Sequence, residues 1–348
     1  MVFRGRWLLP PVFINLFLGL AAGASRMGIL PVFASDAVQN HGAVMMMGFI
    51  SGIIVAERAN TLKDPFLTAA SIAFPAGGFL LVAGIDFAAY FAWFFGSLLF
   101  VIWSAIFLAK YSRRYSGFFF LFSSLLNLLG VYFYAYGYSA TFYVYSWVGF
   151  IVSFICGERM DMLQISRPSG FSRLAAYVSP AAAAAGVIFV RKELMAMFFL
   201  LLLLAVTRHD LAIRMFRRPG FSRFLSVGII TAYAWLGVAV LMWALTFSWD
   251  TMLHTIFLGF VGTMILAHGP VVLPAILKIK HFFSPLLYIP FIILQASTVL
   301  RIVSGVFIRI DAWAYSGLIT IIAVAIYVFF AFSTAFLRKN FLKNPSFS

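Results

Sequence analysis

Apolar runs of about twenty residues follow one another along almost the whole chain, each cut short by a polar or Gly/Pro break. Twelve are readable, at 7–23, 37–56, 66–84, 87–109, 117–137, 140–157, 174–190, 194–207, 224–247, 251–277, 285–308 and 313–337. A helix needs roughly 20 apolar residues to cross a bilayer, so twelve use about 240 residues and leave about 108 for connections and tails. No soluble domain fits in that remainder. Only 10% of the 348 residues are charged and 64% are hydrophobic, against about 25% charged in a soluble globular chain. An ordinary cytosolic enzyme is excluded, and the expected fold is all-α: a single integral membrane domain spanning 1–348, in contact with the lipid bilayer.

Charge sets the topology. Lys+Arg number 25 against 10 Asp+Glu, a net charge of +15. In a soluble chain that excess points to nucleic acid; here the basic residues fall in short connections, and no nucleic-acid partner is expected. With the N-terminus cytoplasmic, inner segments hold all of the Lys and Arg except Arg26, Arg191, Lys192 and Arg309 outside and Arg301 within a span. The positive-inside rule then favours twelve spans with both ends cytoplasmic. The basic, apolar opening of the chain resembles a signal leader but lacks a convincing small-residue cleavage site, so it reads as a retained first span. Cys156 is the single cysteine, which excludes a disulfide, a thiolate cluster and two-cysteine haem attachment.

A motif recurs on even-numbered spans. Gly48-Phe49-Ile50 is followed by Glu57-Arg58, and Gly149-Phe150-Ile151 by Glu158-Arg159 at the same offset. In Gly259-Phe260-Val261, His268 stands where the glutamate stood. Each interval equals four spans, so the copies keep one orientation, as in parallel repeats about an axis normal to the membrane. The reading is three four-helix arcs, roughly 1–115, 116–222 and 223–340.

Of five histidines, His209 and His281 fall in basic inner loops and read as solvated. His41, His254 and His268 fall within spans, where an ionisable residue is a functional hypothesis by default. His41 and His254 open their motif-bearing spans at matching depth near the outer leaflet. Two imidazoles facing each other across a bundle supply both axial positions of a haem iron. Met45, Gly48 and Gly52 follow His41 at +4, +7 and +11 on one stripe, admitting either a flat macrocycle or a neighbouring helix. Plain helix packing, with His41 hydrogen-bonded to a neighbour, explains the same residues.

His268 lies fourteen residues after His254, about 21 Å deeper. Gly269-Pro270 and Pro274 follow it, suggesting a kinked end whose freed carbonyls need partners. It reads as a carbonyl partner or proton-path residue, or else as a further metal ligand. Glu57-Arg58 and Glu158-Arg159 read as ion-paired span ends or as a proton entry. Met45-Met46-Met47 offers soft sulfur to copper, although methionine in an apolar helix is ordinarily filler.

Three stretches carry a resemblance. They are His41 to Phe49 with Glu57-Arg58-Ala59; Asp250 to Met264 with His268-Gly269-Pro270; and Ser284 to Pro290 followed by Gln295 to Arg301. Together these resemble the NnrS-like bacterial membrane proteins, distant architectural relatives of the haem-copper oxidase catalytic subunit. The resemblance implies twelve spans in three arcs within the bacterial cytoplasmic membrane. It also implies haem b held by His41 and His254, in nitric oxide handling or quinol-linked electron transfer, with quinone or a periplasmic redox protein as partner. Spans six and seven lack the histidines that hold copper in the oxidases, and no second histidine lies two residues from His254. The binuclear oxygen-reducing centre is therefore expected to be missing. Two rivals remain from other classes: a cofactor-free transporter or channel using His268, Glu57, Glu158 and Arg301 as a buried polar path, and an accessory assembly subunit of a respiratory complex.

Overall fold

The computed structural model describes residues 7–341 apart from 33, 112–114, 167–168, 209, 246 and 279–282. His209 and His281 therefore lie outside the described residues, as do Arg4, Arg6, Arg113, Arg114, Arg167, Lys280 and Lys343 of the charge count. Among the described residues every regular element is helical. In chain order these begin with α1 (Leu9–Arg26) and α2 (Ser35–Gln39). The second span is composite: α3 (His41–Ala43), a π-helix π1 (Val44–Ser51) and α4 (Gly52–Leu62). Then come α5 (Pro65–Val82), α6 (Asp86–Lys110), α7 (Tyr115–Ala135), α8 (Ala140–Ser166), α9 (Gly170–Ile188), α10 (Lys192–Val206), α11 (Leu211–Met215) and α12 (Phe221–Ala244). A second composite span follows: α13 (Trp249–His254), π2 (Thr255–Gly262) and α14 (Thr263–Leu277). A 3-10 turn at Pro285–Leu287 leads into α15 (Tyr288–Val306), and α16 (Ile310–Phe341) closes the chain.

Eleven of these helical stretches are long and apolar enough to cross a membrane. The expected eighth span, 194–207, is α10, whose 15 residues reach only about 22 Å at 1.5 Å per residue, against a hydrocarbon core of about 30 Å. Many large apolar side chains stand exposed, among them Phe87, Phe91, Phe94 and Ile106 on α6. A soluble monomer rarely tolerates such a surface, whereas lipid tails cover it at no cost. The protein is a multi-pass membrane protein.

Helix starts follow local chemistry. Asp64 caps α5 by accepting from the Leu67 N–H at 3.1 Å, ahead of Pro65, whose missing N–H costs nothing in a first turn. Ser169 caps α9 through the Ser172 N–H and Ser248 caps α13 through the Thr251 N–H. Prolines inside helices free a carbonyl four residues back, and side chains take two of these up. Pro180 frees Ala176, which accepts from Ser179 Oγ at 2.9 Å. Pro270 frees Leu266, which accepts from Tyr327 Oη at 2.9 Å.

The chain divides into two compact units. Unit 1 comprises Met1–Leu211 and Ala239–Thr246; unit 2 comprises Ala212–Val238 and Phe247–Ser348. In unit 1, consecutive helices α5 to α8 lie against each other, knit by an aromatic core in which Phe100 stacks with Trp103 and Phe120 with Phe154. In unit 2, α15 and α16 form the main helix pair, and α13 and π2 lie against α15.

Candidate functional site

The two π-helices occupy the same register of the repeated motif. Each is eight residues long with the motif glycine fifth: Gly48 in Val44–Ser51 and Gly259 in Thr255–Gly262. The third copy, around Gly149, lies in unbroken α-helix. The two π-helical copies are also the two that carry a histidine just before the deformation. π segments inside α-helices are rare and concentrate at functional sites.

The glycines explain what presses on each segment. A Cβ on Gly48 would overlap Asn15 of α1, and one on Gly78 of α5 would overlap the same side chain. Asn15 is fully buried in this socket and donates through Nδ2 to the Pro11 and Pro75 carbonyls at 2.9 and 3.1 Å. A Cβ on Gly52 would stand 3.1 Å from Val12, also on α1, and Met45 lies against Gly19 of the same helix. The stripe Met45, Gly48, Gly52 therefore receives helix α1, the second of the two occupants the spacing allowed. In unit 2 a Cβ on Gly259 would stand 2.8 Å from the Trp235 ring. Trp235 is fixed by its Nε1–H donating to Gln295 Oε1 at 2.6 Å, and Gln295 donates in turn to Thr263 Oγ1 at 3.0 Å.

All three intramembrane histidines bond a backbone carbonyl through Nδ1. His41 reaches Gly19 at 2.7 Å, His254 reaches Asp250 at 2.8 Å and His268 reaches Met264 at 2.9 Å. A carbonyl only accepts, so Nδ1 carries the proton and the neutral ring has its lone pair on Nε2. This is the tautomer that Nε2 ligation of a metal requires, with the second-shell bond that orients such a ligand. Gly23 lies against the His41 ring, 2.9 Å from Cε1 for a Cβ built there.

His254 has a further anchor. Asp250 Oδ1 lies 3.2 Å from its Nδ1. The same carboxylate accepts both arms of Arg301, from Nε at 2.8 Å and Nη2 at 2.7 Å, and the Trp313 Nε1–H at 3.0 Å. The Arg301 guanidinium also lies over the Trp313 ring, 4.6 Å from its centroid. Arg301 is only 6% exposed, so a bidentate partner is what makes its burial tolerable. One carboxylate thus ties α13, α15 and α16 together and holds the imidazole. Asp250 and Trp313 were not among the sequence candidates; a lone acid opening an apolar span was the available signal.

Most of the remaining polar candidates have partners in the fold. Arg58 pairs with Glu158, and its guanidinium lies 5.1 Å from the Phe120 ring and 5.8 Å from the Phe154 ring. Arg159 pairs with Asp210 through bonds of 2.9 and 2.6 Å. The repeated Glu-Arg dipeptide is thus not paired within itself: each arginine reaches an acid on another element. Glu57 accepts from Thr61 Oγ1 at its backbone carbonyl. His268 bonds the Met264 carbonyl, Tyr327 takes up the Leu266 carbonyl that Pro270 frees, and α14 runs through Pro270 and Pro274 without a break. Gly269 leaves the room that the Tyr327 hydroxyl fills. Met47 Sδ accepts from Ser51 Oγ at 3.7 Å while Met45 lies against Gly19, so their sulfurs serve separate contacts. Among the described residues no group of three or more His, Cys, Asp or Glu side chains gathers as a metal site.

Fold and site define an all-helical multi-pass membrane protein with two π-helical, histidine-bearing spans. The chain belongs to the family described as a domain of unknown function, DUF8744, whose model matches residues 4–336. No curated protein and no solved structure matches it.

Proposed function

We propose that this protein is a haem-b-bearing protein of the bacterial cytoplasmic membrane, akin to the NnrS-like proteins, serving nitric oxide handling or quinol-linked electron transfer. His41 and His254 are its axial ligands. The observation that carries the reading is the shared state of these two imidazoles: each precedes a π-helix, and each commits Nδ1–H to a carbonyl, which is the tautomer in which Nε2 is the nitrogen able to ligate iron. Taken singly, both residues fit the role. Haem b would supply a one-electron couple, with His41 and His254 as the residues that would hold it. The chain's own contribution is orientation: the Gly19 carbonyl fixes His41, and Asp250 fixes His254 while neutralising Arg301. Quinone or a periplasmic redox protein is the proposed electron partner; copper is not part of the proposal.

The transporter reading gains less. Its path needs Glu158 and Arg301 available to a solute, and both are engaged, by Arg58 and by Asp250. Within unit 2, His268 lies 18 residues after Asp250 on one composite span.

A reduced-minus-oxidised spectrum of the purified protein tests the proposal. Sharp low-spin b-type bands are expected, and His41→Ala or His254→Ala should each abolish them while His268→Gln leaves them. A colourless, folded protein from haem-replete cells, or an unchanged low-spin spectrum in either alanine variant, overturns the assignment.

The proposed topology has twelve crossings in three arcs, both ends cytoplasmic, with the short α10 crossing as the eighth; the charge bias supports it. Reporter fusions after Ser116 and Ser222 should both report the cytoplasm, and one after Asp250 the outside. If α10 does not cross, the Ser222 and Asp250 reporters exchange sides while Ser116 stays.

A further inference from the structure

Midway along three neighbouring helices of unit 1, five polar side-chain atoms are buried without a hydrogen-bond partner. They are Ser97 Oγ on α6, Asn127 Nδ2 and Oδ1 on α7, and Trp147 Nε1 and Ser153 Oγ on α8. Ser97, Asn127 and Ser153 are 0% exposed and Trp147 is 2% exposed. Their neighbours show that this is not how the helices ordinarily treat a hydroxyl. Ser104, Ser123, Ser124 and Ser146 on the same helices each donate to a carbonyl of their own helix.

The atoms lie within about one helical turn of each other along the helices. Trp147 lies against Gly130, its Nε1 2.5 Å from a Cβ built there, and Asn127 is one turn from Gly130 on the same face. Antiparallel α6 and α7 are bracketed by Trp93 with Tyr134, ring centroids 6.0 Å apart, and Trp103 with Phe120, 5.8 Å apart. Counting inward from both pairs sets Ser97 beside residues 126 to 130, the level of Asn127. On α8, Gly149 meets Leu126 and Gly157 meets Phe119, which sets Ser153 about one turn below. Aromatic rings pack against one another around this level, Trp93, Tyr134 and Tyr143 in one group and Phe100, Phe150 and Phe154 in another.

We propose that Ser97, Asn127, Trp147 and Ser153 form an internal hydration site at the bilayer midplane between α6, α7 and α8. Four of the five atoms donate, three accept and none carries a charge. Their complement is therefore a small neutral molecule that both donates and accepts, and water is that molecule. Lipid tails offer these groups nothing, and each group left unpaired at that depth is costly. Bound water makes about three hydrogen bonds to such buried groups. The site lies wholly within unit 1 and does not depend on a haem.

X-ray radiolytic footprinting of the full chain in lipid nanodiscs tests the site, because bound water yields hydroxyl radicals that oxidise only side chains beside it. Trp147 should be oxidised several-fold faster than Trp243, an equally buried indole packed on Tyr145 and Phe199, with exposed Trp249 as the upper reference. Asn127→Leu should bring Trp147 down to the rate of Trp243. A wild-type Trp147 as slow as Trp243 overturns the proposal, and that comparison needs no variant to fold. A folded Asn127→Leu protein with Trp147 still fast also overturns it, since the water would then be held elsewhere.

Discussion

The π1 span of unit 1 and the π2 span of unit 2 share a backbone and differ in what anchors their ends. Both deform over eight residues around a motif glycine, and both end on a lysine in the left-handed conformation, Lys63 at φ 54° and Lys278 at φ 55°. At its histidine end, π2 is held by charge: Asp250, Trp313 and His254 form one cluster around the buried Arg301. At π1 that end is held by neutral bonds, His41 to Gly19 and Tyr134 to Asn40 Oδ1 at 2.7 Å. At the far ends the polarity reverses. Arg58 and Glu158 form the ion pair in unit 1, whereas Tyr327 and a freed carbonyl do the work in unit 2. A repeated deformation can thus be kept while the interactions that secure it are exchanged.

The largest expected effect comes from breaking the charged end of π2. Asp250→Asn takes the countercharge from the buried Arg301, which costs about 3–5 kcal/mol, and it removes the carboxylate beside His254. Thermal unfolding in detergent should show that loss. Asn40→Ala at π1 removes one neutral bond and should cost about 1 kcal/mol. Equal losses would mean the charge at π2 adds nothing to its anchoring.

Next come the motif glycines. Gly48→Ala drives a methyl into Asn15, itself tied by two backbone bonds, and Gly259→Ala drives one into the Trp235 ring held by Gln295. Overpacking of this kind costs about 1–3 kcal/mol. Gly149→Ala in the straight copy meets only the tip of Leu126, 2.8 Å from a Cβ there, which a rotamer change relieves, so its unfolding temperature should fall least. If Gly149→Ala is as damaging as the other two, the π-helical copies are not the tightly seated ones.

How much of this was legible in the sequence follows from what each feature depends on. Spans are visible because lipid demands a long apolar run, and the glycine motif is visible because it repeats. The π-helices are not, since one extra residue per turn leaves no separate apolar period to read. Nor was the α10 crossing secure, because a 15-residue run sits below the length that decides. Arg301, Glu57 and Glu158 stood out as charges in apolar surroundings, but their partners are tertiary facts: Arg58 meets an acid 100 residues away. Asn15, Asn127 and Tyr327 were overlooked although each is a polar group in an apolar run, because only packing shows which such groups are buried.

At the far end of π2, Tyr327→Phe removes the hydroxyl that satisfies the Leu266 carbonyl. The ring remains, so the loss is that of one buried acceptor, about 1–3 kcal/mol. Alanine at Gly269 should cost less in that background than alone, since the clash with the hydroxyl is gone and only the ring Cζ, 3.0 Å from the new methyl, still presses on it. Additive losses in the double variant would show that Gly269 serves some contact other than Tyr327.

The smallest effect is expected at the far end of π1, where the ion pair is half open. The side chains of Arg58 and Glu158 keep 21% and 30% of their exposure, and water screens much of what the charges gain from each other. Such a pair contributes about 0–1 kcal/mol, below the Arg301–Asp250 pair, whose acid is similarly open at 32% but whose arginine is only 7% exposed. Arg58 also lies over Phe120 and Phe154, a contact worth about 0.5–1 kcal/mol in a partly exposed setting. The two contributions separate in a double-mutant cycle. Glu158→Gln should cost only the pair, and Arg58→Gln should cost the pair and the ring contact together. A Glu158→Gln loss matching that of Asp250→Asn would show that both ends of the two π-helical spans are secured by charge equally, and the contrast between the units would fail.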